Sequence, residues 1–220
     1  MKPITMNKFY LLFCILSLNL ASLTAQDSDE AKALLEEVYT KATGYDNIVI
    51  DFKYVLNNSE AGINQETRGN VTLEGEKYVA DVFGAKQLYD GSKVYTIVPE
   101  NQEVTIEDKS DDEDALSPEK MLTFYREGHN FEMDITQNVE GRKIQFVKLT
   151  PMDTDSETES ILLGVDAETK HIYKVIEKGK NGTMTTITVN SFKTDQPISE
   201  TLFTFDKAKY EDDGYYIIEN

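Results

Sequence analysis

Short apolar segments with a period of two residues recur through this 220-residue chain and constrain its fold more than any other feature. In the first segment Ile48, Ile50, Phe52 and Tyr54 occupy alternate positions, and similar segments follow as far as residue 192. Alternation of this kind is typical of strands with one apolar face. The turns between segments, such as Asp90-Gly91, have hairpin lengths, so neighbouring strands should be antiparallel. We predict a mainly β protein with a few α-helices, built on a single curled antiparallel sheet of about eleven strands, an incomplete β-barrel.

Two segments without this alternation predict helices, one before the strands and one between them. Asp27 and Glu30 form the pattern of a capping box at the start of residues 27–43. Helical spacing would place one apolar side on this helix, made of Ala31, Leu34, Leu35, Val38 and Ala42. A second helix is predicted over residues 117–128, between a Ser-Pro start and a terminal glycine. We expect both helices to lie on one face of the sheet as a lid.

The first 25 residues have the layout of a secretory signal peptide. Lys2 and Lys8 precede an apolar run over residues 9–20, and small residues follow as far as Ala25. The run is shorter than the roughly 20 apolar residues that span a bilayer. A buried N-terminal helix is the alternative interpretation. We predict a signal peptide at residues 1–25, cleaved near Ala25.

The chain that remains after cleavage is predicted to be acidic and unanchored. Cys14 follows Phe13, whereas a lipoprotein signal needs a small residue before its cysteine, so we expect no lipid anchor. The full chain has 22 basic and 40 acidic residues, a net charge of −18, which argues against nucleic acids and anionic membrane surfaces as partners. We expect residues 26–220 to form a single domain and a freely diffusing monomer.

No sequence pattern points to catalysis, and we predict that the protein is not an enzyme. The sequence contains no G-x-S-x-G motif and no cluster with zinc-ligand spacing, and His129 and His171 are isolated. Acidic residues alternate from Asp153 to Glu159, a pattern that fits a calcium loop but fits a solvated turn better. A hydrolase with an acidic pair is the alternative in this class. No cofactor and no metal are predicted.

Aromatic and aliphatic residues are frequent in the strands, which favours an apolar cavity between a curled sheet and a partial helical lid. The positions selected for the sheet side are Ile50, Phe52, Val71, Tyr95 and Ile97. Those selected for the lid are Leu34, Leu35, Met121, Leu122 and Tyr125. The choice depends on strand parity, because a shift of one residue reverses the face. In the hairpin of residues 89–108 the opposite choice is Val94, Thr96 and Val98.

Several motifs resemble, in the same order, those of the outer-membrane lipoprotein carriers of the LolA family. They span about residues 28–206 and comprise Ile48-x-Ile50-x-Phe52, Gly69–Leu73, Asp90-Gly91 followed by Val94–Val98, Pro99 and Gln102, the helix positions Pro118, Met121 and Leu122, and Phe203-Thr204-Phe205. One feature departs from the family. An Arg-Pro pair that latches the lid in well-studied members is absent at the matching Gly75-Glu76. The resemblance therefore implies a divergent member whose lid closes through other contacts.

The resemblance implies a fold with an incomplete β-barrel and a helical lid, and a function as a lipoprotein chaperone. Such carriers work in the periplasm of Gram-negative bacteria, without covalent chemistry. They accept acylated lipoproteins from an inner-membrane ABC transporter, shield the acyl chains, and deliver them to an acceptor at the outer membrane. The alternative is a lipid-binding or sensor module on the same fold that does not transport lipoproteins.

Overall fold

The computed structural model describes residues 27–109 and 120–219. The predicted signal peptide and the first residues of the second predicted helix lie outside the described residues, and so does the side chain of Met121. Helix α1 covers residues 27–43, as predicted, and a short helix α2 covers Lys207–Asp212. The described strands are, in chain order, β1 (Ile48–Asn58), β2 (Ile63–Glu74), β3 (Lys77–Val82), β4 (Ala85–Tyr89), β5 (Lys93–Val98), β6 (Glu103–Asp108), β7 (His129–Val139), β8 (Arg142–Pro151), β9 (Thr158–Asp166), β10 (Ile172–Gly179), β11 (Met184–Thr194) and β12 (Tyr216–Glu219).

All the described strands belong to one open, curled sheet, which confirms the predicted fold class. Its order is β12-β6-β5-β4-β3-β2-β1-β11-β10-β9-β8-β7, so β12 and β7 form its two edges and the sheet is not closed into a barrel. The strand number is twelve over the described residues rather than about eleven. One pairing also departs from the prediction, because β12 lies parallel to β6.

Tight turns set the register of the hairpins. The predicted Asp90-Gly91 turn is confirmed, and the Asp90 carboxylate accepts hydrogen bonds of 2.8 Å from the backbone N–H groups of Ser92 and Lys93. The turn between β3 and β4 consists of Phe83 and Gly84 alone, both with positive φ (55° and 76°). Two consecutive positive φ values suit the right-handed twist of a hairpin.

Helix α1 lies across one face of the sheet, called the inner face from here on. Its buried residues Ala31, Leu35 and Val38 pack with Val147 of β8 and Leu163 of β9 in one apolar cluster. The helical spacing of these residues therefore produces the buried stripe that the sequence predicts.

The second predicted helix is replaced by two short turns of 3-10 helix, Lys120–Leu122 and Phe124–Arg126. Thr123 separates them with a φ of −132°, outside the helical region. Threonine and the aromatic pair that follows it have low helix propensity, which accounts for the difference from an α-helix.

The opposite, outer face of the sheet is partly covered by the chain that follows β11. Leu202 and Phe203 pack against Val79 of β3 and Leu88 of β4. The chain then continues through α2 and joins the edge of the sheet as β12, where the backbone N–H of Tyr216 donates to the carbonyl of Gln102 at 2.7 Å.

Candidate functional site

Three of the five predicted sheet residues lie together on the inner face. Ile50 and Val71 are buried there as direct cross-strand partners, and Phe52 packs against the same cluster. Phe52 lies over Gly69, where a Cβ atom would come within 2.5 Å of the Phe52 ring. The glycine therefore lets this ring lie close to the sheet.

The predicted lid residues whose side chains are described also meet the inner face. Leu35 and Tyr125 are buried, and Leu34 packs against the same cluster. Leu122 packs against that cluster and against the cluster around Ile50. The 3-10 turns therefore bridge the region under α1 and the neighbouring part of the sheet.

Tyr95 and Ile97, the other two predicted sheet residues, lie on the outer face, so the predicted parity of β5 is reversed. Val94 packs on the inner face, and successive side chains of a strand point to opposite faces. Tyr95 stacks on Phe205, with ring centroids 4.4 Å apart, and donates a hydrogen bond of 2.8 Å to Asp90. Burial and this hydrogen bond raise the pKa of Tyr95 to about 12. The C-terminal chain thus occupies the side of β5 that was predicted to face a ligand.

An apolar stretch of the inner face continues beyond the region that α1 covers. Tyr54 and Leu56 of β1 follow Phe52 at alternate positions, and Ile187 of β11 is the cross-strand partner of Tyr54. All three are only half-buried. At its rim the Phe83 ring contacts the Tyr54 ring edge-on, with centroids 5.0 Å apart, while 63% of Phe83 remains exposed.

None of these four residues is among the site residues predicted from the sequence. The alternation that placed Phe52 on the inner face also places Tyr54 and Leu56 there. Phe83 had no comparable signal, because turn positions usually carry small or polar residues.

Polar contacts join the two parts of the lid to each other and to the sheet, without the family arginine. Arg126 pairs with Glu36 of α1 at 3.5 Å and lies 3.7 Å above the ring of Tyr39. Lys170 reaches Glu37 at 2.8 Å from the turn between β9 and β10. Exposed ion pairs contribute only about 0–1 kcal/mol each, so apolar packing contributes most of the free energy that keeps the lid on the sheet.

The end of α1 is joined to the sheet through His171. The Tyr45 hydroxyl lies 2.8 Å from His171 Nε2, and Phe192 stacks on the imidazole with ring centroids 4.0 Å apart. Burial lowers the pKa of His171, and the nearby Lys41 lowers it further, against a smaller opposite effect of Asp166. His171, which is isolated in the sequence, is therefore half-buried in the structure, and its lowered pKa favours the neutral form.

The described residues contain no group of three or more histidine, cysteine or acidic side chains arranged to hold a metal ion. No helix in the described ranges is long and apolar enough to cross a bilayer. A surface groove of about 750 Å³ lies on the solvent side of α1, between Glu37, Lys41 and Lys170. The helix separates this groove from the inner face, so we treat the inner face as the candidate site.

An open curled sheet whose apolar inner face is partly covered by a helix and short turns defines the class of LolA-like proteins, which bind lipids or lipoproteins. The family model described as outer membrane lipoprotein carrier protein LolA matches residues 86–206, more than half of the chain. The chain belongs to this family, whose members are periplasmic binding proteins and chaperones.

Two solved structures share the fold at low sequence identity. The chain is similar to an uncharacterized conserved protein from Thermus thermophilus (TM-score 0.55, 8% identity, 87% of this chain and 99% of that one). It is also similar to LprF from Mycobacterium bovis (TM-score 0.50, 13% identity, 79% and 96%). A LolA superfamily protein from Nitrosomonas europaea aligns with a TM-score of 0.44 at 13% identity, covering 80% and 98%. No curated protein matches the chain significantly by sequence.

Proposed function

We propose that this protein is a non-enzymatic periplasmic carrier that binds the acyl chains of lipoproteins on its inner face and carries them from the inner to the outer membrane. The observation that carries the proposal is the apolar stretch of Tyr54, Leu56 and Ile187, which continues the inner face beyond α1. In this proposal an inner-membrane ABC transporter supplies the lipoprotein, and an outer-membrane acceptor receives it. Residues 1–25 direct export and are removed, and residues 26–220 act as one domain.

The packing of the lid supports binding that can be reversed. Burying one methylene group stabilises a complex by about 0.8 kcal/mol, so a few acyl chains supply ample driving force. In the empty protein Leu35 and Leu122 occupy the inner face themselves. Lid and ligand therefore compete for one surface, which weakens the apparent affinity and allows release.

Neighbouring residues on β11 provide a matched test of binding. Ile187 pairs with Tyr54 on the inner face, whereas Thr188 pairs with Lys53 on the outer face. We expect Ile187→Asp to reduce capture of a purified triacylated lipoprotein at least about tenfold, because a carboxylate in the site opposes burial. Thr188→Asp should leave capture unchanged. Equal capture by both variants would exclude the inner face as the site.

Depletion of the protein in its host distinguishes a carrier from a lipid-binding or sensor module. A carrier predicts that outer-membrane lipoproteins accumulate at the inner membrane, as measured by membrane fractionation. Complementation with the wild type should restore sorting, and complementation with Ile187→Asp should not. Correct sorting in the depleted cells would contradict transport and favour the module.

A further inference from the structure

Tyr125 carries a buried hydroxyl that has no hydrogen-bond partner in the part of the chain that the structure describes. Its side chain is fully buried in the cluster that joins α1, β8 and β9. Among the described residues, Tyr125 Oη is the only buried side-chain nitrogen or oxygen without a hydrogen-bond partner. A buried hydroxyl without a partner costs free energy, because its hydrogen bonds to water are lost and not replaced. Phenylalanine would fill the same space without this cost, so the hydroxyl requires an explanation.

The position of Tyr125 suggests what the hydroxyl is for. Its 3-10 turn follows the turn that carries Leu122, which packs on both inner-face clusters. The next residue, Arg126, is held to α1 through Glu36. Tyr125 therefore lies at the contact between the lid and the sheet. A ligand that enters between the lid and the sheet would lie next to its hydroxyl. Burial raises the pKa of the phenol, so the hydroxyl stays protonated and able to donate.

We propose that Tyr125 Oη donates a hydrogen bond to the ester or amide carbonyl that links an acyl chain to its headgroup, and that the site thereby prefers acyl over plain alkyl ligands. A carbonyl oxygen accepts a hydrogen bond and brings no proton of its own, which suits a buried hydroxyl that can only gain a partner by donating or accepting one hydrogen bond. The apolar chain would extend from this point over the inner face. This inference rests on the proposed function, because it concerns the same site.

The test compares an ester-linked diacylglycerol with its ether-linked analogue of equal chain length, by displacement of an environment-sensitive fluorescent lipid. One hydrogen bond predicts that the wild type binds the ester about 3- to 10-fold more tightly. Tyr125→Phe should bind both lipids equally, with the ether affinity unchanged or higher. Tyr39→Phe removes the same atom from a neighbouring lid residue and should keep the ester preference.

Thermal unfolding of the empty proteins adds a second readout. Tyr125→Phe should unfold at the same or a higher temperature, because it removes an unsatisfied group. A lower temperature would show that the hydroxyl has a partner in the empty protein and would overturn the proposal. Equal binding of ester and ether by the wild type would overturn the proposal while leaving lipid binding intact. Binding of neither lipid would overturn the proposed function and, with it, this inference.

Discussion

Phe83 combines backbone strain, exposure and a contact with the candidate site. Its φ of 55° lies in the left-handed region, which is unfavourable for a bulky side chain. Most of the ring is exposed, so burial does not compensate for the strain. The ring nevertheless contacts Tyr54 at the rim of the inner face. These features predict that Phe83 contributes more to ligand binding at the proposed site than to stability.

Replacing Phe83 tests this inference. Phe83→Asn should change the free energy of unfolding by less than about 1 kcal/mol, because relief of the left-handed strain offsets the lost aromatic contact. Lipid affinity should fall about fivefold, since roughly 1 kcal/mol of apolar contact is removed. Urea unfolding and fluorescent lipid displacement measure the two effects.

The turn between β7 and β8 supplies the control. Glu140 and Gly141 have φ values of 52° and 83°, which closely match those of Phe83 and Gly84. Glu140→Asn relieves similar strain away from the candidate site and should leave lipid affinity unchanged. An affinity loss of equal size in both variants would assign the effect to turn geometry rather than to the ring.

At the scale of elements, α1 depends on a titratable contact at its end. The pKa of His171 is lowered in the folded protein, mainly by burial and by Lys41. The folded state therefore favours the neutral imidazole. The contact made by the neutral His171 therefore contributes to stability above the unfolded pKa of about 6.5. This contribution decreases as the pH falls below that value.

His171→Gln should make the stability of the protein less dependent on pH. We expect the wild type to lose stability as the pH falls from above to below the unfolded histidine pKa of about 6.5, as measured by urea unfolding, and the variant to lose less. His129, the only other histidine, provides the control. The His129→Gln variant should follow the wild type, and a wild-type slope in His171→Gln would show that this contact does not sense pH.

The elements whose formation depends on nearby residues are those that the sequence predicted best. The capped stripe of α1 and the Asp90-Gly91 turn have local signals and are confirmed. The face to which Tyr95 belongs could not be read locally, because both sides of β5 carry apolar residues. Its outward direction is set by Phe203, far away in the chain. The face to which Ile50 belongs was easier to predict, because one side of β1 is clearly more apolar near the start of the strand.

At the scale of the molecule, the chain after β11 covers the outer face of the sheet over β3, β4 and β5. Phe203 is 7% exposed and completes the cluster around Val79 and Leu88. Phe203→Ala should lower the free energy of unfolding by about 3 kcal/mol or more, through lost burial and the cavity that remains. Tyr216→Ala should cost little, because 71% of Tyr216 is exposed. Similar losses in both variants would show that the cluster is not what stabilises this face.

The strand order also determines how the chain can fold. Among the described strands, β1–β6 and β7–β11 form two meanders of neighbouring hairpins, and the two meanders pair with each other only through β1 and β11. This β1–β11 pairing, called the seam here, joins Ile48 to Thr194. Its formation closes a very long loop, whereas every hairpin closes a short one. We expect the seam to form after the hairpins on either side of it, once synthesis has passed residue 194. Until then the central strand β1 has only β2 as a neighbour. A chain exported as proposed would therefore not complete its sheet before most of it has been synthesised.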